Sequence, residues 1–289
     1  MSAIAYITDS KMLELHRLNN HKTMNFWRLS RNINFSDFST GDLVFFLSKD
    51  KEHRNKREKG IVGFGRVTKI NVSSVKTMWD KYGILNGYQT LNEFKEAILR
   101  VSKDKQIPKK ISSFYLENVV FFQPVFLSEC GMKISTNVES YIYLKEESVV
   151  MKLLSLAKES NDLWSNLNNN HDDIESEQVI YALYAAHDHI GDLKISDQIY
   201  KRAHRLMKQY IEEDPSYQFV RNSKNELYRI EDKTINFIFY YDKQIDQRLL
   251  IGQAYLYKYY LRNFTDIDIV AKFRFLNKND ELSYYLNEM

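Results

Sequence analysis

Cysteine is nearly absent. The single Cys130 among 289 residues excludes an internal disulfide framework and any zinc site built on several thiolates. Proline is also scarce, at three, and nine glycines are few, so long flexible or polyproline linkers are not expected. No window reaches eighteen apolar residues, and the opening MSAIAYITDSKMLELH has no basic stretch leading into an apolar run. A soluble cytoplasmic protein without a membrane partner is the resulting expectation. Neither sign of charge dominates: 41 Lys and Arg against 38 Asp and Glu leave +3, too little to imply a polyanionic partner by itself. Local clusters of charge therefore matter more than the sum.

Aromatic residues are abundant, with 20 Tyr, 17 Phe and 3 Trp, enough to fill cores and leave some rings for stacking on bases. A chain of this length usually exceeds one core, so two domains are expected, 1–150 and 151–289. The boundary falls near the Asn-rich run 161–173, which carries five Asn around Trp164.

The first half reads as a compact β unit. Residues 3–7 form a short apolar strand and 11–18 a helix. Phe26 and Trp27 open a further strand, Ser39-Thr40-Gly41-Asp42 reads as a turn, and LVFFL (43–47) and GIVGFGRV (60–67) read as paired strands. VSSVKTMWDKYG (72–83) reads as a helix, and Thr90-x-x-Glu93 is a capping-box start for the helix after it, with Leu91, Phe94, Ile98 and Val101 on one face. Two more strands follow in ISSFYLENVVFFQPVFLSE (111–129). The second half reads as two helices, 174–187 and 194–213, a hairpin across Glu231-Asp232, a helix over IDQRLLIGQAYLYKYYLRNF and a short tail. That order loosely matches a winged helix.

Five elements, in order, carry a resemblance. They are Asn25-Phe26-Trp27-Arg28, Gly41-Asp42-Leu43-Val44-Phe45-Phe46, Gly60-Ile61-Val62-Gly63-Phe64-Gly65, Trp79-x-x-x-Gly83-x-x-Asn86-Gly87 and Phe122-Gln123-Pro124-Val125-Phe126. Together they resemble the PUA-like superfamily, which includes the EVE and YTH readers of modified bases. The resemblance is closest to the PUA-like N-terminal domain of bacterial restriction endonucleases of the HNH type. It covers the first half only; the family's proline after the Trp is Leu29 here, and the second half has no His-Asn-His arrangement. The fold implied is α+β: a PUA-like curled β-barrel with helical insertions, then a mostly α-helical domain containing a β-hairpin. The function implied is recognition of nucleic acid, most directly DNA with a modified base, rather than cleavage.

A pocket for a flipped base needs flat rings and a few polar groups for its edge. The resemblance places Trp27 at such a pocket, with Trp79, Tyr82 and Tyr88 from the helical insertion, hydrogen bonds from Asn25, Arg28, Ser30 and Asn32, and Asn86 as a cap. The competing reading is that both tryptophans fill the core. Between the paired strands, residues 48–59 contain six basic side chains: Lys49, Lys51, Arg54, Lys56, Arg57 and Lys59. They read either as a solvated hairpin or as a finger gripping phosphates through counterion release. Lys201, Arg202 and Arg205 line one helix of the second half and read equally as a solvated face or as phosphate contacts.

Three patterns resemble catalytic sets. His187-Asp188-His189-x-x-Asp192 resembles a helical phosphohydrolase motif, Asp214 with Glu231-Asp232-Lys233 resembles a nuclease carboxylate and lysine set, and Asp172 to Glu177 is an acidic helix start. None has the spacing its chemistry requires, so no metal ligands and no cofactor are assigned, and enzymatic activity stays open. Three readings result: a modified-nucleic-acid reader of a prokaryotic restriction or defence system, with the second domain as a candidate homodimer interface; a modification-dependent endonuclease with a diverged C-terminal half; and an interaction protein that binds no nucleic acid.

Overall fold

The apolar runs of the first half become strands of one sheet in the computed structural model, which describes residues 3–29, 37–52, 58–132, 138, 140–160, 170–221, 223–277 and 280–288. The chain divides into two units, residues 2–174 and 175–289. The first runs β1 (Ala3–Thr8), α1 (Ser10–Leu18), β2 (Met24–Arg28), β3 (Leu43–Glu52), β4 (Lys59–Ser73), α2 (Val75–Tyr82), α3 (Leu91–Val101), β5 (Ile111–Val125), β6 (Tyr141–Leu144) and α4 (Glu147–Glu159). Its six strands lie in the order β2-β5-β4-β3-β1-β6, antiparallel throughout except for the parallel pair β1 and β3.

Curvature follows from the long strands. Register shifts interrupt β3, β4 and β5 at five places, and each such bulge bends a strand and increases its twist. Gly63 sits at one of them, where a Cβ would lie 2.5 Å from the Val120 carbonyl oxygen. The result is a curled sheet. Phe26 on β2 reaches Tyr6 on β1, with three strands between them in the order and ring centroids 5.2 Å apart, and also stacks on Phe46 and Phe114. Among the described residues β2 and β6 exchange no strand pairing, so the expected barrel is an open, curled sheet.

The turn before β3 is built by its own sequence. Asp42 is fully buried, and its carboxylate accepts from the Ser39 amide at 2.7 Å. Thr90 caps α3 as its spacing predicts, accepting from the Glu93 amide, while the Glu93 carboxylate reaches back to the Gln89 amide instead of that of Thr90. Phe94 and Ile98 are buried, but Val101 is 53% exposed because the helix ends there. The loop before α3 passes so close to α1 that Gly87, at φ 87°, leaves no room for a side chain: a Cβ would lie 2.3 Å from Met12 Cγ. Gly87→Ala is expected to destabilise the protein by about 2 kcal/mol, from left-handed strain plus overpacking. Urea denaturation checks this, and an unchanged midpoint would show that α1 can move away.

The second unit contains most of α5 (Asn170–Ile190), then α6 (Asp197–Glu213), β7 (Gln218–Phe219), β8 (Glu226–Glu231), β9 (Thr234–Phe239), α7 (Gln247–Phe264), β10 (Val270–Phe275) and α8 (Asp280–Glu288). The predicted hairpin is present as β8 and β9, turning at Asp232 with φ 54°. It is the centre of a larger sheet, ordered β10-β9-β8-β7, in which β10 joins β9 in parallel after the α7 crossover. The expectation of a hairpin followed by a tail therefore changes: Val270 to Phe275 alternates exposed and buried as a half-buried strand does. The helices pack on this sheet through Leu183, Met207, Tyr257, Phe237 and Phe273.

Candidate nucleic-acid interface and a buried polar cluster

The pleat of β2 sends successive side chains to opposite faces, and this divides the predicted base pocket in two. Asn25 and Trp27 point to the face covered by α2 and α3. There Trp27 meets Phe94 at 5.5 Å and Tyr88 at 6.4 Å, and Trp79 meets Phe94 at 6.0 Å. Trp27 is half-buried, and its buried indole Nε1 has no hydrogen-bond partner among the described residues. Tyr88 is buried, and its hydroxyl donates to Asp9 at 3.1 Å. Burial first, and then the Asp9 charge, raise its pKa. Asn25 and Asn86 are both fully buried; Asn25 Nδ2 donates to Asn86 Oδ1 at 2.8 Å, and Asn86 Nδ2 donates to the Gly83 carbonyl. These two amides tie the 83–86 turn to the sheet. Tyr82 stacks on Tyr115 and accepts a hydrogen bond from Asn71. Ser30 and Asn32 lie outside the described residues.

Arg28 points the other way, into the curl. It is 6% exposed, and its guanidinium lies over the Phe114 ring at 5.3 Å. Tyr6, Tyr141 and Tyr143 surround that charge. Burial lowers the Arg28 pKa, and the nearby phenols partly oppose the shift. Tyr6 and Tyr141 are stacked, with centroids 5.5 Å apart and planes 12° from parallel, and Tyr143 meets Tyr141 edge-on. All three tyrosines keep part of their surface exposed. Residues of the two edge strands and of β1 thus meet at a partly exposed aromatic pair beside a buried cation. Sequence reasoning missed these tyrosines; the alternation Tyr141-Ile142-Tyr143, which puts two rings on one strand face, is the signal that could have found them.

Of the basic hairpin, Glu52 pairs with Lys59 across the strands and Lys51 is exposed. Lys49 lies on β3, and Arg54, Lys56 and Arg57 lie outside the described residues. On α6 the buried face is Ile199, Ala203 and Met207, while Lys201, Arg202 and Arg205 are exposed. Arg202 pairs with Asp242 at 3.1 Å.

The second unit gathers a polar cluster around Glu226, which is 2% exposed. The Tyr257 hydroxyl donates to Glu226 Oε2 at 2.5 Å, and the Gln253 amide donates to Oε1. His187 Nδ1 lies 2.8 Å from that hydroxyl, so it donates there, since the phenol proton is already used. Burial alone would lower the His187 pKa. The hydrogen bond and charge of Glu226, with Asp192 and Asp188 behind, outweigh burial and raise it. Tyr257, fully buried beside Glu226, has its pKa pushed well up by burial and then by that charge. Of this cluster the sequence singled out only His187 and Asp192. Gln253 and Tyr257, four apart on the apolar stripe of α7, are the pattern that could have added the rest.

The other catalytic-looking residues are dispersed. Asp188 pairs with Arg221 at 2.6 Å, Glu231 with Arg229 at 3.0 Å and Lys233 with Glu175 at 2.8 Å, all as surface or half-buried ion pairs. No helix among the described residues is long and apolar enough to cross a membrane.

No family model matches this chain, and a search of curated proteins finds no relative. Among solved structures there are distant partial matches. ASCH from Zymomonas mobilis is 15% identical, with 53% of this chain and 94% of that one aligned at a TM-score of 0.38. The hypothetical protein PH0355 is 18% identical, with 42% and 97% aligned at a TM-score of 0.26.

Proposed function

We propose that the chain binds nucleic acid through the partly exposed aromatic pair of its curled N-terminal sheet, which takes an unstacked base. The carrying observation is the parallel pair Tyr6 and Tyr141 beside the buried Arg28. A partly exposed ring pair supplies a sequence-tolerant stacking platform, worth about 1–3 kcal/mol per base. The buried guanidinium nearby places a fixed positive charge beside that platform. The basic hairpin 49–59 extends from the same sheet and suits backbone phosphates. The covered aromatic group around Trp27 then fixes the α2 and α3 insertion, and the base pocket moves from Trp27 to the opposite face of β2.

The substrate we favour is DNA carrying a modified base, in a prokaryotic restriction or defence setting. Support for that part comes from the sequence resemblance of the first half. Full-length protein should bind short single-stranded and duplex oligonucleotides at low salt in fluorescence anisotropy, with a preference among modified and unmodified cytosine or adenine. Arg28→Ala is expected to weaken binding by at least about tenfold. Neutralising Lys56 and Arg57 together should reduce the logarithmic salt slope by about two while leaving the base preference intact. Absence of binding to every oligonucleotide at low salt would defeat this reading and leave an interaction protein. A second reading, an endonuclease with a diverged catalytic half, is favoured by one observation: the His187 imidazole gathered with the Asp192 and Glu226 carboxylates.

A further inference from the structure

In the second unit, one nitrogen of His187 and one carboxylate oxygen each of Asp192 and Glu226 lie within 4.8 Å of one another. We propose that these three side chains bind a single divalent transition-metal cation. This stands apart from the nucleic-acid reading, because it uses no residue of the curled sheet.

Spacing is the first support. Nitrogen and oxygen ligands held about 2.0–2.2 Å from an ion stand roughly 3–4 Å from one another. His187 Nε2 is 3.9 Å from Asp192 Oδ1, and the three ligand atoms lie within 4.8 Å of one another, so the side chains draw in only slightly around an ion. Tyr257 already engages Nδ1, which leaves Nε2, on the Asp192 side, as the ligating nitrogen.

The second support is an inward acceptor. Asp192 Oδ2 accepts from the Tyr200 hydroxyl at 3.3 Å, but the buried Oδ1 has no hydrogen-bond partner among the described residues. A buried carboxylate oxygen without a donor is costly, and a cation beside His187 would satisfy it.

Orientation is the third. Metal-binding imidazoles and carboxylates are normally held by outer hydrogen bonds. Here Tyr257 holds both His187 and Glu226, and Gln253 holds Glu226 while donating to the Gly191 carbonyl beside Asp192. A cavity of about 10 Å3, lined in part by Glu226, Gln253 and Asn225, adjoins the group. That volume accommodates roughly one water beside Glu226. A mixed imidazole and carboxylate set favours zinc or manganese over calcium or magnesium, which prefer oxygen alone.

The test is titration of chelator-treated full-length protein with zinc and, separately, manganese near neutral pH, read by calorimetry and thermal melting. One ion per chain with a rise in Tm is expected. Asp192→Asn keeps the side-chain shape at a position one-third exposed, so the metal-free Tm should hold while affinity falls at least about tenfold. His187→Gln should lose the ion as well. No binding by the wild-type protein up to about 1 mM cation, a range of barely 4 kcal/mol of affinity, would overturn the proposal. So would equal affinity in the wild type and both variants, which would place the ion elsewhere on the surface.

Discussion

Glu226→Ala is expected to destabilise the C-terminal unit by about 3–5 kcal/mol, the usual cost of removing one partner from a buried charged network. The change strands the Tyr257 hydroxyl proton, takes one acceptor from the Gln253 amide and removes the charge that faces His187, all around a carboxylate that is 2% exposed. Alanine also leaves a void at the start of β8, the strand from which the sheet builds in both directions. Glu226→Gln should cost less, because one oxygen can still accept from Tyr257 while the new amide faces that of Gln253. Far-UV circular dichroism during urea unfolding, with chelator present, measures both. A loss under about 1 kcal/mol for the alanine variant would mean that water already reaches the carboxylate and that the network is open.

Acid should weaken the first unit through His16. This ring is 0% exposed, and its pKa is lowered to about 3, mainly by burial and then by the neighbouring His21, with a Leu85 backbone hydrogen bond opposing. The two Nδ1 atoms stand 3.0 Å apart, so one carries the shared proton; protonating both would set two N–H groups against each other. His16 binds a proton more readily unfolded than folded. Its contribution is therefore fully present above about pH 6.5 and lost as pH falls toward 3. At roughly 1.4 kcal/mol per pH unit, about 2 kcal/mol should disappear between pH 7 and 5, before most carboxylates titrate. His21, lowered by burial and more exposed, adds in the same direction. Tryptophan fluorescence reads this unit directly, since Trp27 and Trp79 both lie in it. His16→Gln should flatten the dependence; a wild-type midpoint unchanged between pH 7 and 5 would show that the ring is solvated.

Local patterns explain what was legible early. The strand runs LVFFL and GIVGFGRV, the Asp42 turn and the Thr90 cap each depend on residues within a few positions of one another, and all four are found where their spacing puts them. Strand β10 has the same kind of signal in Val270 to Phe275, but the alternation does not reveal its partner β9, which lies beyond an eighteen-residue helix. The curl of the first sheet depends on bulges, which leave little trace in hydrophobic alternation.

Composition and short-range spacing thus determined that this chain forms two mixed helix and strand units, rich in rings and without an internal disulfide framework. Which side chains meet was decided by the tertiary structure. Period-two pleating sent Trp27 and Arg28 to opposite faces of one strand, so neighbours in sequence could not share a pocket. Long-range pairing brought Tyr6 to Tyr141 and His187 to Glu226. Contacts between residues so far apart are fixed by sheet order and curvature, which no window of the sequence contains.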